Sequence, residues 1–263
     1  TVTASKISDE DITVTLSTSG TATDGTDYSA VNGSSLTITA GTTTATKTFT
    51  ITDNSIYEGN ETVIVAISTV SGGSATENGT QTETITITEN ESAPTITLST
   101  STSSVAENSG TIVTLTVTSS QAADEDITVT LASSGTATDG TDYSSVNSSS
   151  LTITTGTTTA TKTFTITDNS IYEGNETIIV SINTVSGGGA AESETQTETI
   201  TITENESAPT VSIDVDGATS ASVYDNGSNL TLTATSTQIS DEAITVVIGT
   251  SVGGATEGTD YAV

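Results

Sequence analysis

The feature that most limits how this chain can fold is a repetition of whole-domain length. Asp9-Glu10-Asp11-Ile12 returns as Asp124-Glu125-Asp126-Ile127, 115 positions later. The run from Asp53 through Tyr57-Glu58-Gly59-Asn60-Glu61 returns from Asp168 to Glu176 with the same shift. So does Glu89-Asn90-Glu91-Ser92-Ala93-Pro94, at Glu204 to Pro209. A third, drifted copy shows at Asp241-Glu242 and at Gly258-Thr259-Asp260-Tyr261. A solenoid turn runs roughly 20–50 residues. A period above 100 has the size of an independent domain.

Within each copy the apolar residues alternate with polar ones. Thr163-Phe164-Thr165-Ile166-Thr167 and Ile127-Thr128-Val129-Thr130-Leu131 are typical. A period of two in β-branched residues predicts half-buried strands. Threonine on the wet face keeps strand propensity without adding hydrophobicity. Turn signals such as Asp-Gly, Gly-Asn and Gly-Gly fall between the runs. About seven strands per copy predict an all-β protein of tandem Ig-like antiparallel β-sandwiches, arranged head to tail. The 2 prolines, Pro94 and Pro209, sit between strand-like runs and mark the linkers. This gives repeat one over residues 1–91, repeat two over 92–207 and repeat three over 208–263. The first is expected to lack its opening strand and the third to stop after about three. The chain reads as a window onto a longer polymer or repeat protein.

Charge narrows the partners. The 263 residues carry 33 acids, 3 basic residues and no histidine, a formal net charge of −30. Such a surface repels phosphate backbones and anionic membranes. No apolar run is long enough to span a bilayer, so no direct membrane insertion is expected in this segment. Cysteine is absent, which removes disulfides and thiolate ligands and suits a bacterial extracellular or cell-surface protein. Aromatic residues are 3% of the chain, so the cores are thin and gain from a bound ion.

Many acids are clustered, and strand alternation predicts where the clusters meet. Followed up and down through repeat two, the chain brings Glu107, Asp142, Asp168, Glu173, Glu204 and Glu206 to one end. Two like charges about 5 Å apart in water repel by just under about 1 kcal/mol, and by more where water is excluded. A thin-cored domain would not gather six without a counter-ion. Calcium takes six to eight oxygens in flexible geometry, magnesium demands strict octahedra, and zinc wants the nitrogen or sulfur that is missing here. Bound calcium is therefore the expected cofactor, with solvated acids on a plain spacer as the competing reading.

These residues also resemble the Calx-beta domain of sodium–calcium exchangers, an integrin subunit and large bacterial surface proteins. The segment from Gly135-Thr136-Ala137 to Asp142-Tyr143 is similar to that family's GTA-x-x-G-x-DY. The segment from Ile166 to Glu176 is similar to its I-x-DD-x-x-x-E-G-x-E, and Val105-Ala106-Glu107-Asn108 to its V-x-E-x opening. The resemblance implies calcium ligands at the six acids of repeat two named above. In repeat one it implies Asp27, Asp53, Glu58, Glu89 and Glu91, and in repeat three Asp225 and Asp260. Asn169 and Asn54 stand where the family has a second Asp, and the terminal acidic run is Glu-Asn-Glu. Both departures imply fewer ions or weaker binding than in the exchangers.

A second acidic group, Asp124, Glu125, Asp126, Glu192 and Glu194, lies at the opposite end of repeat two. The short linkers bring it near the top of the preceding repeat, so calcium could stiffen the joint. The competing reading is that these acids only blunt exposed turns and edges. Tyr28, Tyr143, Phe49 and Phe164 recur with the period and are expected as core or corner residues. No nucleophile–base set is present, so no enzyme is expected. The expected function is a calcium-binding structural segment of an adhesin, biofilm matrix protein or filament. Its partners would be calcium ions, neighbouring repeats and identical chains in a fibre. The alternative is a calcium-sensing module of a membrane transporter or receptor.

Overall fold

The computed structural model describes residues 1–217, 219, 221, 229–249 and 253–254. Among these the structure is built from strands with one short 3-10 turn, Glu107–Ser109. No described helix is long and apolar enough to cross a membrane.

Repeat one contributes β1 (Val2–Thr3), β2 (Ile12–Gly20), β3 (Ser35–Ile38), β4 (Thr44–Ala45), β5 (Glu61–Ser71) and β6 (Thr82–Ile87). Repeat two contributes β7 (Thr95–Thr100), β8 (Ser104–Ala106), β9 (Ile112–Ser119), β10 (Ile127–Gly135), β11 (Ser150–Ile153), β12 (Thr159–Thr165), β13 (Glu176–Ser186), β14 (Ala191–Glu192) and β15 (Thr197–Thr203). Repeat three shows β16 (Val211–Val215) and β17 (Leu232–Ser236), an antiparallel pair.

Repeat two is a closed sandwich. One sheet has the order β11-β10-β13-β15-β8 and the other β12-β9-β7-β14. Alternation does the sorting. In β9, Val113, Leu115 and Val117 are buried while Thr114, Thr116 and Thr118 are not. In β10, Ile127, Val129 and Leu131 point inward in the same way. Tyr143 and Phe164 anchor one end of this core, ring edge to ring face at 5.8 Å between centroids. Tyr28 and Phe49 repeat that pair at 5.7 Å in repeat one, so the expected core role of these aromatics holds.

Two details refine the expected sandwich. The opening strand of repeat two does not climb one sheet. It breaks at Ser101–Ser103, so β7 pairs with β9 in one sheet while β8 pairs with β15 in the other. The sandwich is also not wholly antiparallel, because β15–β8 and β14–β7 are parallel pairs. A strand that changes sheets runs alongside a different neighbour, and at both of these its direction matches.

Repeat one repeats the sheet order as β3-β2-β5-β6, with a bulge after Thr15 matching the one after Thr130 in β10. Among the described residues its second sheet is the β1–β4 pair, the counterpart of the end of β9 against β12. Among the described residues no strand takes the place of β7 here, and Val14, Leu16, Phe49, Val65 and Ile67 line an open apolar cleft.

Candidate metal centre

Two loops, the strand end after β15 and the 3-10 turn after β8, which carries Glu107, build the acidic pole of repeat two. The first loop leaves β10 at Gly135 and closes on itself. The Thr138 amide donates to Asp142 Oδ2 at 2.6 Å, and the Asp142 amide returns to the Thr138 carbonyl at 3.0 Å. Asp139 takes no part in the pole. Its Oδ2 accepts the Ser133 hydroxyl and the amides of Val146 and Asn147. Burial raises the Asp139 carboxyl, but these donors outweigh it and hold it at about 2. Asp142 is 7% exposed, fixed beneath the fully buried Tyr143.

The second loop runs from Asp168 to Glu176 and is organised by one anion. Glu204, just past β15, accepts the amides of Glu173 and Gly174 on Oε2 at 2.6 and 2.8 Å. Its Oε1 accepts the amides of Asn205 and Glu206, each at 2.9 Å. Burial works against the charge, yet these amides pull the Glu204 carboxyl down to about 2. Asn169 sits between two acids. Its amide donates to Glu107 Oε1 at 3.2 Å, and its side-chain nitrogen donates to Glu173 Oε2 at 3.0 Å. An aspartate there would add a further negative charge. Asparagine instead supplies a donor, which explains how the substituted position is tolerated.

The acids gather in two groups. Glu107, Glu204 and Glu206 each offer an oxygen within 4.8 Å of the others, and so do Asp142, Glu173 and Glu176. Glu107 is 4% exposed, and Glu206 Oε2 is buried with no hydrogen-bond partner. Burial first, then neighbouring carboxylates, push Glu107 and Glu176 up to about 7. Asp168 stands apart as an exposed residue, felt by Glu206 through its charge. Glu176 is the ligand candidate that sequence reasoning missed. It is the last residue of the E-G-x-E run and the first of β13.

Repeat one reproduces the second group with Asp27, Glu58 and Glu61, again within 4.8 Å. Asp27 is 7% exposed, and burial followed by the charges of Asp27 and Glu58 raises Glu61 to about 7. Glu61 is the counterpart of Glu176 and was likewise missed. Glu89 accepts the amides of Glu58, Gly59, Asn90 and Glu91, and burial notwithstanding it is held at about 2. Asp53 is exposed and accepts the Asn90 side-chain amide at 3.2 Å, and Glu91 lies outside the repeat-one group. Asp225 and Asp260 fall outside the described residues.

The acids at the opposite end behave differently from one another. Asp126 caps the turn at Thr155 and Glu192 accepts the Gln196 amide, both within repeat two. Glu125 accepts the Gly188 amide at 3.4 Å, and Glu194 is exposed with a positive φ of 57°. These four serve local turns or face solvent. Asp124 is placed against repeat one, where its amide donates to the Tyr57 carbonyl at 3.1 Å.

Every candidate ligand in these groups is a carboxylate oxygen, and the chain has 3 basic residues, Lys6, Lys47 and Lys162, against 33 acids. Buried carboxylates without cationic partners, one with an orphaned oxygen, fit a hard divalent cation that accepts flexible oxygen coordination.

Comparison with known proteins gives one family. The model of the Calx-beta domain matches the chain twice, over residues 1–91 and 89–206. No curated protein sequence matches. Similar solved structures include an apo-form Calx CBD1 domain, 19% identical, covering 43% of this chain and 99% of that one, with a TM-score of 0.36. CBD12 from CALX1.2 is 16% identical over 76% of this chain and 90% of that one, at a TM-score of 0.35. The calcium binding domain CBD12 of CALX1.1 is 15% identical over 74% and 87%, at 0.33.

Proposed function

The chain belongs to the Calx-beta domain family, and from that premise we propose that it is a calcium-binding structural segment of an extracellular protein. The observation that carries the reading is the grouping of three carboxylate oxygens within 4.8 Å, found once in repeat one and twice in repeat two. Calcium supplies the positive charge that these groups lack. The chain's own residues supply the rest. Glu204 and Glu89 fold the Glu-Gly loops, and Asp142 and Asp27 are pinned by backbone amides before any ion arrives. Glu173, Glu176 and their counterparts Glu58 and Glu61 complete the pole.

In this reading calcium orders the sandwich ends and stiffens the joints of a stalk, matrix component or filament at a bacterial surface. A calcium-sensing module of a transporter or receptor would use the same groups. Two copies of nearly one sequence in tandem favour the spacer. Calorimetric titration of the chain with calcium tests the proposal, with thermal melting in chelator alongside. Heat of binding and a higher Tm in calcium are expected. No heat and an unchanged Tm would overturn it.

A further inference from the structure

An Asn or Asp precedes a glycine at Asp24–Gly25, Asn32–Gly33, Asn78–Gly79, Asp139–Gly140, Asp216–Gly217 and Asn226–Gly227. Such a pair is chemically labile. The glycine amide nitrogen can attack the carbonyl carbon of the preceding side chain, because glycine has no Cβ to hinder the approach. The attack needs that nitrogen free of its hydrogen bond. At four of the pairs it is engaged. Gly25 donates to the Tyr28 carbonyl, Gly33 to the Leu16 carbonyl and Gly140 to the Tyr143 carbonyl, each at 2.9 Å. Gly217 donates to Asp214 Oδ1 at 2.9 Å. Asn226–Gly227 lies outside the described residues.

Asn78–Gly79 differs. It lies in the loop 72–81 that joins β5 to β6, and both residues are exposed. Among the described residues the Gly79 amide meets no acceptor. A Cβ added to Gly79 would find nothing within 4 Å, so the chain has room to bend there. The loop is held by other atoms. Glu77 Oε1 accepts the Gln81 amide at 2.8 Å, and the Gln81 side-chain nitrogen donates to the Asn78 main-chain carbonyl at 2.7 Å. Repeat two folds the same turn, with the Gln196 amide on Glu192 and the Gln196 side chain on the Ser193 carbonyl. Ser193 and Glu194 stand where repeat one has Asn78 and Gly79, and Glu194 takes a φ of 57° against 66° for Gly79. The turn is thus built equally well without the labile pair.

We propose that Asn78–Gly79 is a spontaneous modification site, at which asparagine is converted one way into a carboxylate. The Gly79 nitrogen gives up its proton to water and bonds to the Asn78 side-chain carbonyl carbon. The bond from that carbon to the side-chain nitrogen breaks, and the nitrogen takes up a proton and leaves as ammonia. The cyclic imide then adds water at either carbonyl and opens to aspartate or isoaspartate. Water is the only co-reactant, and nothing is oxidised or reduced. Either product adds a negative charge to repeat one and leaves repeat two unaltered. Isoaspartate also adds a carbon to the main chain and turns the carbonyl that Gln81 holds into the free carboxylate. The Gln81 contact is displaced, and the entry to β6 loosens.

The test incubates the whole chain in mildly alkaline buffer and maps its peptides by mass over time. Conversion is expected at Asn78 roughly tenfold faster than at Asn32, whose Gly33 nitrogen must first give up a hydrogen bond. In concentrated urea the two sites should react at similar rates, because each is an Asn-Gly pair followed by a hydroxyl residue. Hydroxylamine, which opens the imide, should cut the folded chain after Asn78. Asn78→Ser copies the residue of repeat two, so it should keep the fold and abolish both the conversion and the cut. In the aged chain, hydrogen exchange should be faster over β6 and unchanged over β15. Equal rates at Asn78 and Asn32 in the folded chain, or a difference that survives unfolding, would overturn the proposal. Unchanged exchange over β6 after conversion to isoaspartate would overturn the loosening of the turn.

Discussion

Replacing Gly135 by alanine examines how the first site loop is tethered to the sandwich. Gly135 has φ +122°, and an added Cβ would lie 2.1 Å from the Thr177 carbonyl oxygen. That carbonyl accepts the amide of the buried Ala137 at 3.1 Å. Gly140 provides the comparison, with φ +84° and nothing within 4 Å of its added Cβ. Both substitutions force a side chain to positive φ, at roughly 1–3 kcal/mol each. The clash at Gly135 also pushes the carbonyl from the Ala137 amide, and a buried amide left unpaired costs about 1–3 kcal/mol more. Gly135→Ala should therefore destabilise repeat two beyond Gly140→Ala by roughly 5–150-fold in equilibrium constant. Hydrogen exchange of the full chain in chelator, read on peptides spanning β10 and β13, measures this difference. Thr177 follows Glu176, so the same displacement should draw Asp142 away from Glu176 and weaken calcium binding. Equal protection in the two variants would refute the tether.

Three further outcomes are expected. Glu61, Glu107 and Glu176 titrate near 7 when folded against 4.5 for an ordinary glutamate. Their stabilising contribution without calcium is complete below about 4.5 and is lost as pH rises through 7. Melting in chelator should thus give a higher Tm at pH 5.5 than at pH 8, and saturating calcium should reverse the order, because the ion needs deprotonated oxygens. A chelator Tm that does not fall across that range would contradict the assignment. Glu176→Gln should weaken calcium binding in repeat two roughly tenfold, whereas Glu192→Gln, whose carboxylate accepts the Gln196 amide, should leave it unchanged in the same titration. Phe164→Ala should cost about 3–5 kcal/mol in repeat two, and Phe49→Ala less in repeat one, where the ring is only half-buried beside the open cleft. Exchange protection in each repeat reads both.

Alternation made the strands legible because each face of a sandwich meets one environment. The inward positions of β9 and β10 could be assigned residue by residue. The sheet change between β7 and β8 could not, because both pieces alternate correctly and differ only in partner. The small run Ser101–Ser103 is the available signal for it. At the site, Glu107, Asp142, Glu173 and Glu204 could be gathered by following strand direction. Glu61 and Glu176 close the E-G-x-E runs and open β5 and β13, and only the fold shows that these first strand positions face the acidic pole. Asp168, gathered by strand direction, and Asp53, implied by the family resemblance, are exposed beside the groups. Asp124 was grouped with acids that turn out to serve their own turns, since sequence does not reveal which of five neighbours meets another repeat. Tyr57 and Tyr172, bridged to Ala123 and Ser240 of the following repeats, lie in polar loops and carry no pattern that separates them from core aromatics.

The sheet change of the opening strand has a mechanical consequence. Thr201, Ile202 and Thr203 of β15 lie beside Ser104, Val105 and Ala106 of β8, running the same way. A stretching force enters repeat two near Pro94 and leaves past Glu206, so it draws these two strands lengthwise in opposite directions. Their hydrogen bonds are then loaded together rather than peeled singly. Yielding requires them to rupture at once, and a module with few large side chains can bear tension well beyond what its modest interior would suggest.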